Sequence, residues 1–426
     1  MGIDQTCSMH EIKTRFISSN EEGLYIEIPF TLPADTEQIK VKLEVIQEGL
    51  ASSIIDLGVK DQNRIRGWSG GARSEFFIHQ AKATPGYLPG EMEAGDWAVI
   101  LNAYKVAAKG CTVKLTIEYT LEEFRWLKGD LHTHSVHSDG TFTLREKADI
   151  CEEAGLDFIG LTEHNAASQN DAFPRDVDTL FIPGMELTTN KGHLNLLGVN
   201  DPIRDFRVNT MEELHSVLKE ARENGAYITL NHPHCRNTGW KWERDFDYDW
   251  VEVWNGPWRD ENQDTLDWWQ EQLVSGKRLV AVGGSDAHRP HPNVIHGMPT
   301  TWVYSKSLTC SGILKSIDKG HVVLSYSPKG PFISLTCGMS MTGDVCKKTN
   351  LPVQLNVKDV QSSDVVKVIS NQGIEQEVMV KEGQDTLKLS WTAGSRSFYR
   401  VEVWRDFPEV RSQSLAALSN PIYFIN

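Results

Sequence analysis

The strongest constraint in this sequence is a change of hydrophobic period along the chain. Between residues 126 and about 328, helix-spaced apolar stretches alternate with short, wholly apolar ones. Thr143 stands three residues before Glu146 as a capping box, Leu144, Ala148 and Cys151 repeat at helical spacing, and Gly155 stops the run before the apolar stretch 158–162. Thr210 and Glu213 repeat the box ahead of Leu214, Val217, Leu218 and Ala221; Gly225 is the stop, and 226–230 reads as the next strand. A helix around 266–274 ends at Gly276 and feeds 279–283. Capped helices alternating with buried strands predict parallel βα units, an α/β layer or barrel.

The flanks have another texture. From 12 to about 120, segments such as 24–28, 39–45, 97–101 and 113–119 alternate apolar and polar residues, with Gly67, Gly70, Gly71, Pro85, Gly86, Pro89 and Gly90 as turn residues between them. The same period returns beyond 329, at 332–335, 353–357, 365–369, 386–391 and 399–404. Period two with frequent Gly and Pro predicts β-sandwiches. The expected organisation is an N-terminal β-sandwich over 1–125, an α/β barrel over 126–328 and a C-terminal β-sandwich over 329–426.

Composition narrows the function. Of 426 residues, 40% are hydrophobic, enough to close several cores, and 43 basic against 58 acidic residues leave a net charge of -15. That charge repels phosphate backbones and anionic membranes, so no nucleic-acid or membrane partner is expected. No apolar run approaches the ~18 residues of a membrane span, and residues 1–15 lack the apolar stretch of a secretory signal, so a cytoplasmic protein is expected. The seven cysteines, Cys7, Cys111, Cys151, Cys235, Cys310, Cys337 and Cys346, are scattered without a Cys-x-x-Cys pair and read as reduced residues outside any metal site.

The chemistry gathers after the predicted strands of the middle region. His132, His134 and Asp139 follow the first, His164 the second, Glu186 the third, His232 the next, and Asp286 and His288 the last. In a parallel βα arrangement the strand ends converge on one rim. Residues 132 and 134 lie two apart on an extended segment, so both imidazoles share a face and can clamp one ion. Imidazole with carboxylate and no thiolate suits Zn, Mn or Fe better than Ca or a closed structural zinc site.

Taken together, His132-Thr133-His134-Ser135 with Ser138-Asp139-Gly140, Thr162-Glu163-His164-Asn165, Glu186, Asn231-His232-Pro233 and Gly284-Ser285-Asp286-Ala287-His288 resemble the successive motifs of the PHP (polymerase and histidinol phosphatase) family of metallohydrolases. Val251-Glu252-Val253-Trp254-Asn255-Gly256, Gly67-Trp68-Ser69-Gly70-Gly71 and Ser419-Asn420-Pro421-Ile422-Tyr423 resemble its CehA/McbA branch. The resemblance implies a distorted (β/α)7 barrel with two or three divalent ions at its rim. His132, His134, Glu186 and Asp286 would hold the first ion. Glu186 would bridge to a second completed by His193 and His232, and Asp139, His164 and His288 would hold a third. A water bridging two cations would then attack phosphorus or carbonyl carbon. The leading expectation is a phosphoesterase acting on a small molecule. The alternatives are a carboxylic ester, amide or carbamate hydrolase of the CehA type and a non-catalytic metal-binding scaffold. A polymerase proofreading role fits neither the size nor the charge.

Further residues have two readings each. His234, two residues past His232, could touch substrate, and Arg236 could grip an anionic group or be a solvated loop cation; with Glu186 these form the expected catalytic set. Lys241 and Arg289 are weaker candidates of the same kind. Glu163 could shuttle protons or orient its neighbours. Seven of the 13 tryptophans lie between 240 and 269 and could fill a core or wall a substrate site. Trp68 and Arg73 are the N-terminal residues expected to approach the metal site. Both β modules could bind a carbohydrate or a partner, or serve stability alone.

Overall fold

The computed structural model describes residues 8–48, 52–174, 176–244, 246–347, 351–408 and 412–425. Contacts divide the chain into two compact units, one reaching to Phe124 with the short stretches 176–178 and 306–309, the other holding the remainder from Arg125 onward. It is a mixed α/β protein with many strands and few helices.

The first unit contains two four-stranded antiparallel sheets. One orders Ser8–Ile17, Cys111–Leu121, Thr36–Ile46 and Glu75–His79; the other orders Tyr25–Leu32, Gly95–Lys105, Ile54–Lys60 and Ile65–Gly70. Strict alternation along Tyr25–Leu32 turns Ile26, Ile28, Phe30 and Leu32 inward, where they join Leu57, Val99 and Ile117 in one apolar core. The glycines at 67–70, expected as turn residues, lie within a strand instead. A side chain at Gly67 would meet the Tyr87 ring at 2.2 Å, so the glycine admits a ring across the sheet. Trp68 packs on Tyr25, and Arg73 donates to Pro85 O at 3.1 Å.

In the second unit nine strands lead up to and away from the histidines: β1 (Arg125–Asp130), β2 (Phe158–Leu161), β3 (Leu180–Thr189), β4 (Gly192–Leu197), β5 (Tyr227–Leu230), β6 (Trp250–Asn255), β7 (Val280–Gly284), β8 (Thr300–Ser305) and β9 (Val322–Ser325). Four helices accompany them: α1 (Leu144–Ala154), α2 (Met211–Glu223), α3 (Asp260–Val274) and α4 (Cys310–Asp318). Both capping boxes form as the sequence predicts, at Thr143 and at Thr210. Helix α3 starts six residues before the predicted 266, because Asp260 and Glu261 supply acidic residues to a first turn that lacks a side-chain cap.

The strand order is β7-β6-β5-β4-β3-β2-β1-β8-β9. Neighbours pair in parallel from β1 to β3 and from β5 to β7, but β4 runs antiparallel to both β3 and β5. An isolated parallel bridge joins Thr133, just past β1, to Ala287, just past β7. The far end of the strand path thus returns to the chain beyond its first strand.

The sheet continues from β9 into Ser412–Ser419, Phe398–Phe407, Val365–Ser370 and Gly373–Met379. A further four-stranded sheet, Ser340–Met341, Phe332–Cys337, Pro352–Lys358 and Thr386–Thr392, shares an apolar core with it that includes Val323 of β9. Asn420 ties this region to β7: its amide accepts from Ala281 N at 2.8 Å and donates to Ala281 O at 2.9 Å, standing in for a strand partner.

Six cysteines, from Cys111 to Cys346, are free thiols; Cys7 lies outside the described residues. Among the described residues no helix is long and apolar enough to cross a membrane.

Candidate metal centre

Beyond Asp130 the chain stays extended between β2 and the segment after β7. Thr133 donates its hydroxyl to Gly160 O at 2.8 Å, turning toward β2, so His132 and His134 on either side of it face the opposite way. Asp286 N bonds to His132 O at 2.8 Å and His134 N to Ala287 O at 3.1 Å, which sets Asp286 beside both imidazoles. His132 Nε2 lies 3.4 Å from Asp286 Oδ1 and 3.3 Å from Glu186 Oε1; His134 Nε2 lies 3.2 Å and 3.5 Å from Asp286 Oδ1 and Glu186 Oε2.

Glu186 sits well inside β3, which extends to Thr189, rather than past the end of a strand as expected. His193 reaches it because β4 turns straight back after two residues, pairing Thr189 with Gly192 and Thr188 with His193. Its Nδ1 is 3.0 Å from Glu186 Oε1. His193 therefore stands at the start of its strand, and antiparallel pairing brings that start to the rim where its neighbours end. Trp240 and Trp242 hold this hairpin: Trp242 Nε1 donates to Thr189 Oγ1 at 3.0 Å, and a side chain at Gly192 would meet the Trp240 ring at 2.5 Å. His232, after β5, presents Nε2 at 3.5 Å from Glu186 Oε1. The outer donors are looser. Asp139 Oδ1 lies 3.7 Å from His164 Nε2 and 3.4 Å from His288 Nε2, with its side chain 56% exposed, whereas Glu186 and both histidines after β1 are buried.

All nine predicted donors thus meet in one place, in overlapping groups: His134, Asp139, His164 and His288; His132, His134 and Asp286; His164, Glu186 and His193; and His132, His232 and Glu252. The donor chemistry fits divalent cations. Five buried atoms there, His132 Nε2, both ring nitrogens of His134, Glu186 Oε2 and Asp286 Oδ1, have no hydrogen-bond partner. Each such atom costs about 1–3 kcal/mol if left unpaired, a burden that bound cations would lift from His132 Nε2, Glu186 Oε2, Asp286 Oδ1 and one nitrogen of His134. Electrostatics agrees. Burial opposes charge on Glu186 and Asp286, yet the surrounding imidazoles hold both carboxyls well below their usual range. Burial also opposes charge on His132, but Glu252, Asp286 and Glu186 raise it well above the ordinary imidazole value. For His134 burial prevails and lowers it to about 4, so its ring is neutral near pH 7. Backbone strain concentrates here as well: Asn165 (φ 49°), His232 (φ 26°) and Asp286 (φ 55°) lie in the left-handed region.

The other candidates fall differently. His234 is engaged at both ring nitrogens, by Thr265 Oγ1 at 3.1 Å and by Arg244 Nη2 at 3.2 Å. Arg236, largely exposed, is drawn to Glu261 at 3.4 Å and Asp260 at 3.5 Å. Arg289 donates to Asp139 O at 3.3 Å. Glu163 is fully committed to orientation: it accepts from Ser135 N at 2.9 Å and from the hydroxyls of Ser135 and Ser138, fixing the loop that carries Asp139. Five of the seven clustered tryptophans, Trp240, Trp242, Trp250, Trp254 and Trp269, are buried and fill the core.

Sequence reasoning assigned no role to Glu252, Asn255 or Asp130. Glu252 Oε1 is 2.9 Å from His132 Nδ1, and Asp130 accepts from Ser285 N at 2.9 Å and Gly297 N at 2.8 Å. The available signal was a lone glutamate amid the apolar strand residues Val251, Val253 and Trp254.

No family profile matches the chain. A 45-residue stretch is 44% identical to the DNA polymerase/3'-5' exonuclease PolX of Bacillus subtilis (strain 168), covering 11% of this chain and 8% of the polymerase. Among solved structures, a two-domain protein from Bacteroides vulgatus, described as containing a predicted PHP-like metal-dependent phosphoesterase, is 18% identical with a TM-score of 0.43, covering 69% of this chain and 95% of that one. An amidohydrolase from Chromobacterium violaceum, solved with sulfate and no metal, is 16% identical with a TM-score of 0.28, covering 39% and 89%.

Proposed function

We propose that this chain is a metal-dependent hydrolase of the PHP type, built on a distorted seven-stranded barrel, that cleaves a small-molecule phosphoester. The observation that carries the reading is the convergence of buried, unpaired ligand atoms of His132, His134, Glu186 and Asp286, from β1, β3 and β7 and their extensions. His132, His134, Glu186 and Asp286 would hold one cation, Glu186 with His193 and His232 a second, and Asp139, His164 and His288 a third. Bound cations would supply Lewis acidity toward a phosphoryl oxygen and acidify water toward neutral pH.

The chain's own groups do the rest. Glu186, reached by donors from both sides, offers its two oxygens to neighbouring positions. His132, His134, His193 and His232 are buried, whereas the side chains of Asp139, His164 and His288 are partly exposed, so a cation held by these three would be the one open to a substrate. Arg289, anchored on Asp139 O, stands beside that open side and would meet an anionic group. Arg236 has two carboxylates as neighbours, which weakens its pull on an anion.

The test is turnover by the Mn- or Zn-loaded protein of an aryl phosphate against an aryl acetate and an aryl carbamate. Metal-dependent release from the phosphate is expected, with Arg289→Ala raising KM more than it lowers kcat. Turnover of the acetate or carbamate alone would replace the phosphoester reading with hydrolysis at carbon.

A further inference from the structure

We propose that Glu252, seconded by Asn255, is the positioning residue of this centre: a carboxylate that holds no cation itself but fixes three residues that do. The proposal rests on the metal-centre reading above.

Glu252 lies in the middle of β6, 2% exposed. Its Oε1 is 2.9 Å from His132 Nδ1. That hydrogen bond calls for a proton on Nδ1, so Nε2, which faces Glu186 and Asp286, is the nitrogen left to meet a cation. Its Oε2 accepts from the backbone N–H of His232 at 3.1 Å and from Asn255 Nδ2 at 3.1 Å. The same Asn255 nitrogen is 3.3 Å from Asp286 Oδ2. One buried carboxylate therefore sets the tautomer and ring plane of His132, secures the left-handed turn at His232 and, through Asn255, aims Asp286.

Glu252 falls within ligand range of His132 and His232, but both of its oxygens already receive N–H donors, and the His132 nitrogen it meets is the one turned away from the cluster. The glycine opposite completes the arrangement. A side chain at Gly284 would lie 2.3 Å from His132 Cβ and 3.0 Å from Glu252 Oε1. Partners of this kind, hydrogen-bonded to a ligand's far nitrogen, typically change metal affinity by about 10–100-fold when removed.

The experiment compares the full-length protein with Glu252→Gln and Asn255→Ala, using Zn competition against a chromophoric chelator, circular dichroism of the metal-free forms and 15N NMR of the histidine rings, with the His132 signal assigned by its loss in His132→Asn. Glu252→Gln keeps the wild-type dichroism, binds Zn about 10–100-fold more weakly and, in the Zn-loaded form, loses the single Nδ1-protonated signature of His132. Asn255→Ala, which leaves the His132 contact intact, weakens binding less and keeps that signature. Zn affinity within twofold of wild type in Glu252→Gln overturns the positioning role while leaving the metal centre standing. Wild-type protein that takes up no Zn overturns the metal reading itself. Should Glu252→Gln fail to fold, Asn255→Ala decides: unchanged Zn affinity there removes the network.

Discussion

At the scale of single residues, the centre is held by positions where backbone and side chain are both committed. Gly284 is the clearest, because a methyl group there would collide with the Cβ of His132 and its backbone nitrogen, neither of which can yield without moving the imidazole. Gly284→Ala should therefore cost metal affinity by more than tenfold, read by chelator competition; an alanine variant with wild-type affinity would mean that the His132 backbone has freedom this packing denies. Protons and cations compete for the same atoms. Burial disfavours charge on His132, His164 and His232, but neighbouring carboxylates raise all three, His132 most, so these rings hold protons more tightly than a free imidazole. Cation loading must expel them, and affinity should rise as pH climbs from 6 to 8. Calorimetric titration at pH 7 in buffers of different ionisation enthalpy would report proton release; equal heats in all buffers would contradict it. His132, His134, Asp286 and His288 stand in local His-x-His and Asp-x-His patterns, whereas Asp139, His164, Glu186, His193 and His232 are named through the resemblance of successive motifs. The role of Glu252 could not be read in either way, since its partners lie 120 and 20 residues away in the chain and its apolar strand neighbours signal burial without saying what it holds.

At the scale of elements, the starts of helices α1 and α2 were legible to the residue, because capping boxes are local chemistry written in four letters, and Gly155 and Gly225 marked their ends to within a residue. The reversal of β4 was not. Apolar runs report burial but not strand direction, and only the tight Asn190-Lys191-Gly192 link hinted that β3 folds back on itself. That reversal places His193 at the rim. Strand β7 shows a different dependence, as its outer backbone is served by the amide of Asn420, 139 residues away. Asn420→Ala would strand the N–H and C=O of Ala281, a loss of about 1–3 kcal/mol for each buried group. A clear drop in thermal midpoint is expected, together with weaker metal binding, because Asp286 follows this strand; an unchanged midpoint would show that water or a shifted side chain serves those groups equally well.

At the scale of the whole molecule, the two texture changes seen in the sequence mark different things. The one near residue 125 coincides with the border between the two compact units. The one near 328 falls where a sheet continues, since β9 pairs with Ser412–Ser419 and shares its core with the C-terminal strands. Composition distinguishes strand from helix but not one sheet from its extension, which is why the second border could not be weighed from period alone. The net charge of -15 sits beside a centre that gathers positive ions, and those ions are what would let an anionic substrate approach an acidic protein. The most direct test of the account is a metal count by elemental analysis on protein loaded with Mn or Zn and freed of excess ion, for wild type and for Asp286→Asn. Two or three ions per wild-type chain, and fewer in the variant with loss of hydrolysis, are predicted; a wild-type chain that returns from loading without bound metal, or a variant that holds the same number and turns over equally fast, would contradict it.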